Sequence, residues 1–156
     1  MKVDRINRIQ QDSGATHDLT GKVIGLAMKV HRTLGPGFPE SVYKRALQYE
    51  LIRAGLRAEL EKPIQIRYES IVVGDYFADV VVNDDLILEI KSIVPLAAEH
   101  EVQLVNYLTA TGKDVGLLLN FGARSLEFKK KFRVYLERDD EPFAFRENPV
   151  HPVNPV

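Results

Sequence analysis

Apolar positions along the chain change their period several times, and each change marks an element. From about Leu19 to Leu34, the positions Val23, Ile24, Ala27, Met28, Val30, His31 and Leu34 recur at helical spacing. Gly35 and Pro36 stop this helix, and Gly35-Pro36-Gly37 forms a tight turn. A second helix is predicted from near Pro39 to about Ala54, with Val42, Ala46, Leu47, Tyr49 and Leu51 on its apolar face and Gly55 as its stop. The period then falls to two. Pro63 to Tyr68 alternates as a strand, Glu69-Ser70 turns the chain, and Ile71 to Val82 returns with Gly74 as a candidate bulge. Asn83-Asp84-Asp85 joins that run to Leu86 to Lys91, which is a hairpin signal. Pro95 breaks the chain before a helix from about Leu96 to Thr111, on which Ala97, His100, Leu104, Tyr107 and Leu108 trace one side. Gly112 ends it. Val115 to Phe121 has the composition of a strand buried on both faces, and the alternation from Leu126 to Val134 reads as an edge strand.

The predicted order is ααβββαβ(β). Three consecutive strands form a meander, and the helix after them carries the chain back into the sheet, with a right-handed crossover expected. The fold class is therefore α/β in the α+β sense, a central mixed sheet of four to five strands flanked by helices. Residues 1–18 are polar and read as a flexible N-terminal arm. Residues 19–137 form one domain. Residues 138–156 carry Pro142, Pro149, Pro152 and Pro155 and read as a proline-rich tail.

Composition narrows the class. A chain of 156 residues with 45% hydrophobic and 28% charged content has the make-up of a globular protein with a real core. The absence of cysteine excludes disulfides and thiolate chemistry. No apolar run is long enough for a membrane span, and the N-terminus lacks the apolar region of a signal peptide, so a cytoplasmic protein without a membrane partner is expected. The net charge of −1 offers no global attraction to nucleic acid. A local basic surface would have to come from Lys129-Lys130-Lys131 with Arg133, or from Lys44, Arg45, Arg53 and Arg57, although such runs are more often solvated faces.

Candidate chemistry concentrates on the hairpin. With Asn83, Asp84 and Asp85 as its loop, Val82 faces Leu86, Asp79 lands opposite Glu89, and Phe77 opposite Lys91. Side-chain alternation then puts Asp79, Glu89 and Lys91 on one face and Ala78, Val80, Val82, Leu86, Leu88 and Ile90 on the other. Directly opposed side chains have Cβ atoms roughly 4.5–5.5 Å apart, where like charges destabilise. A hard divalent cation with oxygen ligands resolves that repulsion. Such an ion polarises a phosphate and activates water, while a neighbouring lysine helps the nucleophile or the developing charge. The plainer reading makes Asp79 and Glu89 solvated residues on an outer sheet face, with Lys91 as a cross-strand partner. Glu40 opens the second helix. It either interacts with the helix N-terminus or lies over the hairpin with Tyr43 beside it. Gln103 and Tyr107, four apart on a helix, are surface neighbours. His31, on or next to an apolar stripe, is ordinarily a hydrogen-bonded core residue. Glu99-His100-Glu101 cannot converge on one ion, because adjacent helical residues point in different directions.

The ordered set of motifs resembles the PD-(D/E)xK, or restriction-endonuclease-like, nuclease superfamily, and more specifically its GxxExxY protein family. The naming motif stands as Gly37-Phe38-Pro39-Glu40-Ser41-Val42-Tyr43, preceded by Val30-His31-Arg32 and Leu34-Gly35-Pro36. Ala78-Asp79, Glu89-Ile90-Lys91, the stretch from His100 to Leu108 and the stretch from Gly116 to Gly122 follow in the family's order. The resemblance covers roughly Leu19 to Phe132. It implies Asp79 as the central metal ligand, Glu89 and the backbone carbonyl of Ile90 as further ligands, and Lys91 as the catalytic lysine. Glu40 would complete the site directly or through water. Gln103 with Tyr107 resembles a glutamine-tyrosine element beside the site in some members, and His31 stands where an upstream histidine approaches the metal in certain relatives. Ala78 replaces the proline of the superfamily's name, a position that varies among its members.

The implied function is a Mg2+- or Mn2+-dependent nuclease that hydrolyses phosphodiester bonds in DNA, at ends or in single strands. The alternative is a catalytically silent nucleic-acid-binding or protein-interaction module on the same fold. DNA is the expected partner, and a homo-oligomer is left open.

Overall fold

A computed structural model describes the backbone of residues 2–134 and the side chains from residue 18 onward. The elements are α1 (Lys2–Leu34), α2 (Glu40–Arg53), β1 (Ala58–Tyr68), β2 (Ile71–Val82), β3 (Leu86–Lys91), α3 (Ala98–Thr111), β4 (Val115–Asn120) and β5 (Glu127–Phe132). They form one five-stranded sheet in the order β1-β2-β3-β4-β5. Every neighbouring pair is antiparallel except β3 and β4, which run parallel because α3 returns the chain between them. The architecture is the expected ααβββαββ arrangement, with the edge strand present as β5.

The first helix departs from expectation. It begins at Lys2 rather than near Leu19, so the helix runs on through the polar segment. No proline interrupts residues 2–34, and lysine, arginine and glutamine are good helix formers even where no apolar face calls for a helix. The proline-rich tail expected over 138–156 lies outside the described residues.

Helices cover both faces of the sheet. On one face α1 and α2 bury Val23, Ala27, Val30, Tyr43, Leu47 and Leu51 against Val80, Val82, Leu86, Leu88 and Ile90. On the other, α3 buries Leu104, Tyr107 and Leu108 against Val81, Ile87 and Leu118. Strands β3 and β4 are therefore buried on both sides, which accounts for their unbroken apolar runs. On α2 the buried aromatic is Tyr43, whereas Tyr49, expected on the apolar face, is exposed.

The expected alternation fails at one place. Ala78 packs with the α3 face, whereas Val80 packs with the α1/α2 face. The partner strand inverts with it: Leu60 lies on the α1/α2 side and Ile64 and Ile66 on the α3 side. Between them the pairing skips Glu61 and Asp79, and Glu61 has φ of 52°. A non-glycine residue in the left-handed region turns the strand over, so Ala78 does not share a face with Val80 and Val82. The Glu59–Lys62 ion pair, three apart in one strand, is a direct consequence. A second irregularity falls between Ile66 and Arg67, opposite Gly74 and Val72, where the glycine suggested a bulge.

Candidate active site

The β2–β3 register is the one read from the hairpin, with Val82 opposite Leu86, Val81 opposite Ile87 and Val80 opposite Leu88. The ladder then stops. Phe77 does not reach Lys91: it pairs with Pro63 and is exposed, because β2 parts from β3 at Asp79 and continues outward with β1 alone. Two carboxylates sit in the fork. Asp79 Oδ2 accepts the backbone N–H of Ile90 at 2.8 Å, and Glu89 Oε1 accepts that of Asp79 at 3.4 Å. Side chains thus satisfy the backbone groups that the ended ladder would otherwise orphan.

Glu89 is only 4% exposed. Burial, and then the negative charge of Asp79, pushes its carboxyl up to about 8, with Lys91 acting in the opposite direction. Desolvation disfavours the charged form, and a like charge adds to it. This geometry replaces the solvated-face reading with a partly buried acid pair, of which Glu89 has no ion-pair partner among the described residues.

One cation already serves Asp79. Lys44 Nζ lies 3.0 Å from Asp79 Oδ1 and also bonds Glu61, the residue at which β1 inverts. Burial lowers the Lys44 pKa, but the bonds to Glu61 and Asp79 outweigh it and hold the ammonium above its usual range. The sequence placed Lys44 only in a basic surface patch. A sharper signal was its position four residues after Glu40, which sets both on one stripe of α2.

The start of α2 is docked at the end of β3. Ser92 Oγ donates to Phe38 O at 2.7 Å, and Phe38 N–H donates to the Tyr43 hydroxyl at 3.1 Å. Tyr43 is fully buried, donates to Gly35 O, and stacks on Phe121 with ring centroids 4.6 Å apart. Glu40, half-buried, begins the helix between this dock and Lys44. Pro39 precedes it without a side-chain cap, so Glu40 also supplies the acid of the first turn.

From α3, Gln103 Nε2 donates to the Tyr107 hydroxyl at 2.9 Å. Burial, and then the charge of Glu89, pushes the Tyr107 phenol up to about 12. The pair thus borders the acids, and Tyr76 of β2 packs against Tyr107 at 5.7 Å. His31 is engaged elsewhere: it is buried, its Nε2 lies 2.9 Å from Ala123 O, and its ring stacks on Phe121. His100 Nδ1 accepts the Ala97 N–H at the start of α3.

The structure therefore gathers Asp79, Glu89, Ile90 and Lys91 at one fork, with Lys44 on one side and Gln103–Tyr107 on the other. Among the described residues, no three His, Cys, Asp or Glu side chains are grouped to hold a metal ion, so Glu40 and His31 do not join the two acids in one cage. Hard oxygen donors short of positive charge nevertheless suit Mg2+ or Mn2+, and the donor set fits such an ion.

A further buried polar group shapes the site's rim. Asn120, fully buried at the end of β4, accepts from Ile93 N–H and donates to Ile93 O, pinning the loop after Lys91. A lone asparagine ending an apolar strand was the available signal for it.

Comparison with known proteins places this geometry among relatives. A family model for the PD-(D/E)XK nuclease superfamily matches residues 17–133. No curated protein matches the chain in sequence. A solved structure, the crystal structure of SSO0001, is similar with a TM-score of 0.45 and 20% identity, over 62% of this chain and 51% of that one. The match thus spans about half the length of that protein.

Proposed function

Because this chain belongs to the PD-(D/E)XK nuclease superfamily, we propose that it is a nuclease of the GxxExxY kind that uses Mg2+ or Mn2+ to hydrolyse DNA, at ends or in single strands. The observation that carries this reading is the Asp79–Glu89 pair in the strand fork, with Glu89 driven toward its neutral form and Lys91 beside it.

Asp79, Glu89 and the carbonyl of Ile90 would hold the ion, with Glu40 acting from the start of α2 through water. When bound, such an ion polarises a phosphoryl oxygen and makes water a nucleophile near neutral pH. Lys91 supplies a positive charge where negative charge develops on the phosphate. Gln103, whose Nε2 donates to the Tyr107 hydroxyl, would offer its side-chain oxygen as a hydrogen-bond acceptor. His31, whose Nε2 is committed to Ala123, stays outside the ligand set.

The test compares wild type, Asp79→Ala and Lys91→Ala on single- and double-stranded DNA and RNA with each divalent ion, alongside calorimetric Mn2+ titration. Wild type should cleave DNA and stop on chelation. Asp79→Ala should lose metal binding. Lys91→Ala should keep it and slow turnover on the order of 100-fold or more. A wild type that cleaves nothing, or no better than Asp79→Ala, leaves the chain as a silent binding module.

A further inference from the structure

The loops that carry Lys91 and Glu40 out of the site meet in a second, uncharged hollow. It has a volume of about 360 Å³ and is lined by Phe38, Pro39, Ile93 and Val94, with Gly37 and Gly122 completing it. Pro39 immediately precedes Glu40, and Ser92, also on its lining, immediately follows Lys91. The hollow is therefore built by the residues that adjoin Glu40 and Lys91 in the chain.

Two of its apolar side chains face outward: Phe38 is 45% exposed and Val94 73% exposed. Both are presented by anchored backbone. Phe38 is tied by its N–H to Tyr43 and by its carbonyl to Ser92. The 92–95 loop is held by the two Asn120 bonds to Ile93, and Gly122 lies so close that a Cβ there would meet Ile93 N at 2.3 Å. An aromatic ring held in water on rigid backbone is preorganised for a flat ligand. No charged side chain lines the hollow among the described residues. Such a lining suits an uncharged, flat group.

Resting on the nuclease reading above, we propose that this hollow is a nucleobase subsite: Phe38 stacks on a base beside the scissile phosphate, with Val94 packing its edge. A base in a duplex is already stacked on its neighbours on both faces. The subsite therefore selects a single strand or an unpaired end.

The experiment follows a short single-stranded DNA carrying one 2-aminopurine, its abasic counterpart and the matching duplex, by fluorescence and anisotropy in Ca2+. Wild type should quench the 2-aminopurine and prefer the single strand to the duplex. Phe38→Ala should abolish the quenching and weaken intact single strand about tenfold, as a lost base stack does, while leaving the abasic strand unchanged. Phe38→Tyr should restore both. Val94→Asp, at a surface position that cannot disturb the core, should weaken the intact strand more than the abasic one. Equal binding of intact and abasic strands by wild type and Phe38→Ala overturns the subsite. So does a dimer, seen by sedimentation, that Phe38→Ala dissolves, because the hollow would then belong to a second copy of the chain. Metal-dependent cleavage without quenching defeats the subsite alone. Quenching without any cleavage defeats the nuclease reading alone.

Discussion

At the scale of single residues, the site is governed by how two acids share too little positive charge. Glu89 ordinarily ionises near 4.5 and is pushed up to about 8 here. The folded protein therefore binds a proton that the unfolded chain releases. This contribution to metal-free stability is fully present below about pH 4.5 and disappears as the pH rises through about 8. A divalent ion must displace the same proton, so Mn2+ affinity should rise about tenfold per pH unit up to about pH 8 and then level off. Calorimetric titration across that range checks it, and Glu89→Gln should remove both the slope and most of the binding. Lys44 sets the second balance. Its ammonium occupies one oxygen of Asp79 and competes with any metal cation there. Lys44→Met should therefore raise Mn2+ affinity several-fold, while lowering metal-free stability on the order of 2 kcal/mol because partly buried carboxylates lose their partner. A fall in Mn2+ affinity would instead make Lys44 a residue that positions Asp79.

At the scale of elements, the fork exists because two strands change behaviour at one level of the sheet. Glu61 inverts β1, pairing lapses at Asp79, and β2 leaves β3. Beyond the fork, β1 and β2 continue as a two-stranded ribbon that exposes Tyr68, Ile71, Val73 and Phe77. On the far side, Asn120 and Gly122 clamp the loop that follows Lys91. Gly122→Ala tests this clamp, since its methyl group would enter the backbone of Ser92 and Ile93 and nothing flexible can yield. We expect a loss of about 1–3 kcal/mol in denaturant unfolding and a drop in activity larger than stability alone accounts for. Unchanged unfolding would show that the loop absorbs the methyl group and does not brace the site.

At the scale of the molecule, the parallel pair β3–β4 forms the centre of the sheet, and helices shield it on both faces. The C-terminal ends of those two strands, together with the start of α2, build the site's mouth. Part of the basic surface suggested from the sequence is engaged in internal pairing: Lys44 serves Asp79, Lys131 bonds Glu101 at 2.9 Å, and Arg133 bonds Asp114 at 3.0 Å. Among the described residues, no helix is long and apolar enough to cross a membrane.

Local periodicity was enough to identify the five strands, the helices α2 and α3, and the hairpin register, because burial on one or two faces writes itself into the spacing of apolar residues. It also brought Asp79 to Glu89, because counting back from Val82 facing Leu86 sets the two at the same level of the sheet. The first half of α1 offered a polar composition and no helical period to read. Ala78 was assigned to the wrong face because alternation cannot foresee a left-handed residue in the partner strand. The partners of Lys44, His31 and Asn120 were likewise invisible. Each reaches a group from a distant element (Asp79 from α2, Ala123 from α1, Ile93 from β4), and only packing the helices onto the sheet brings such atoms within hydrogen-bonding distance.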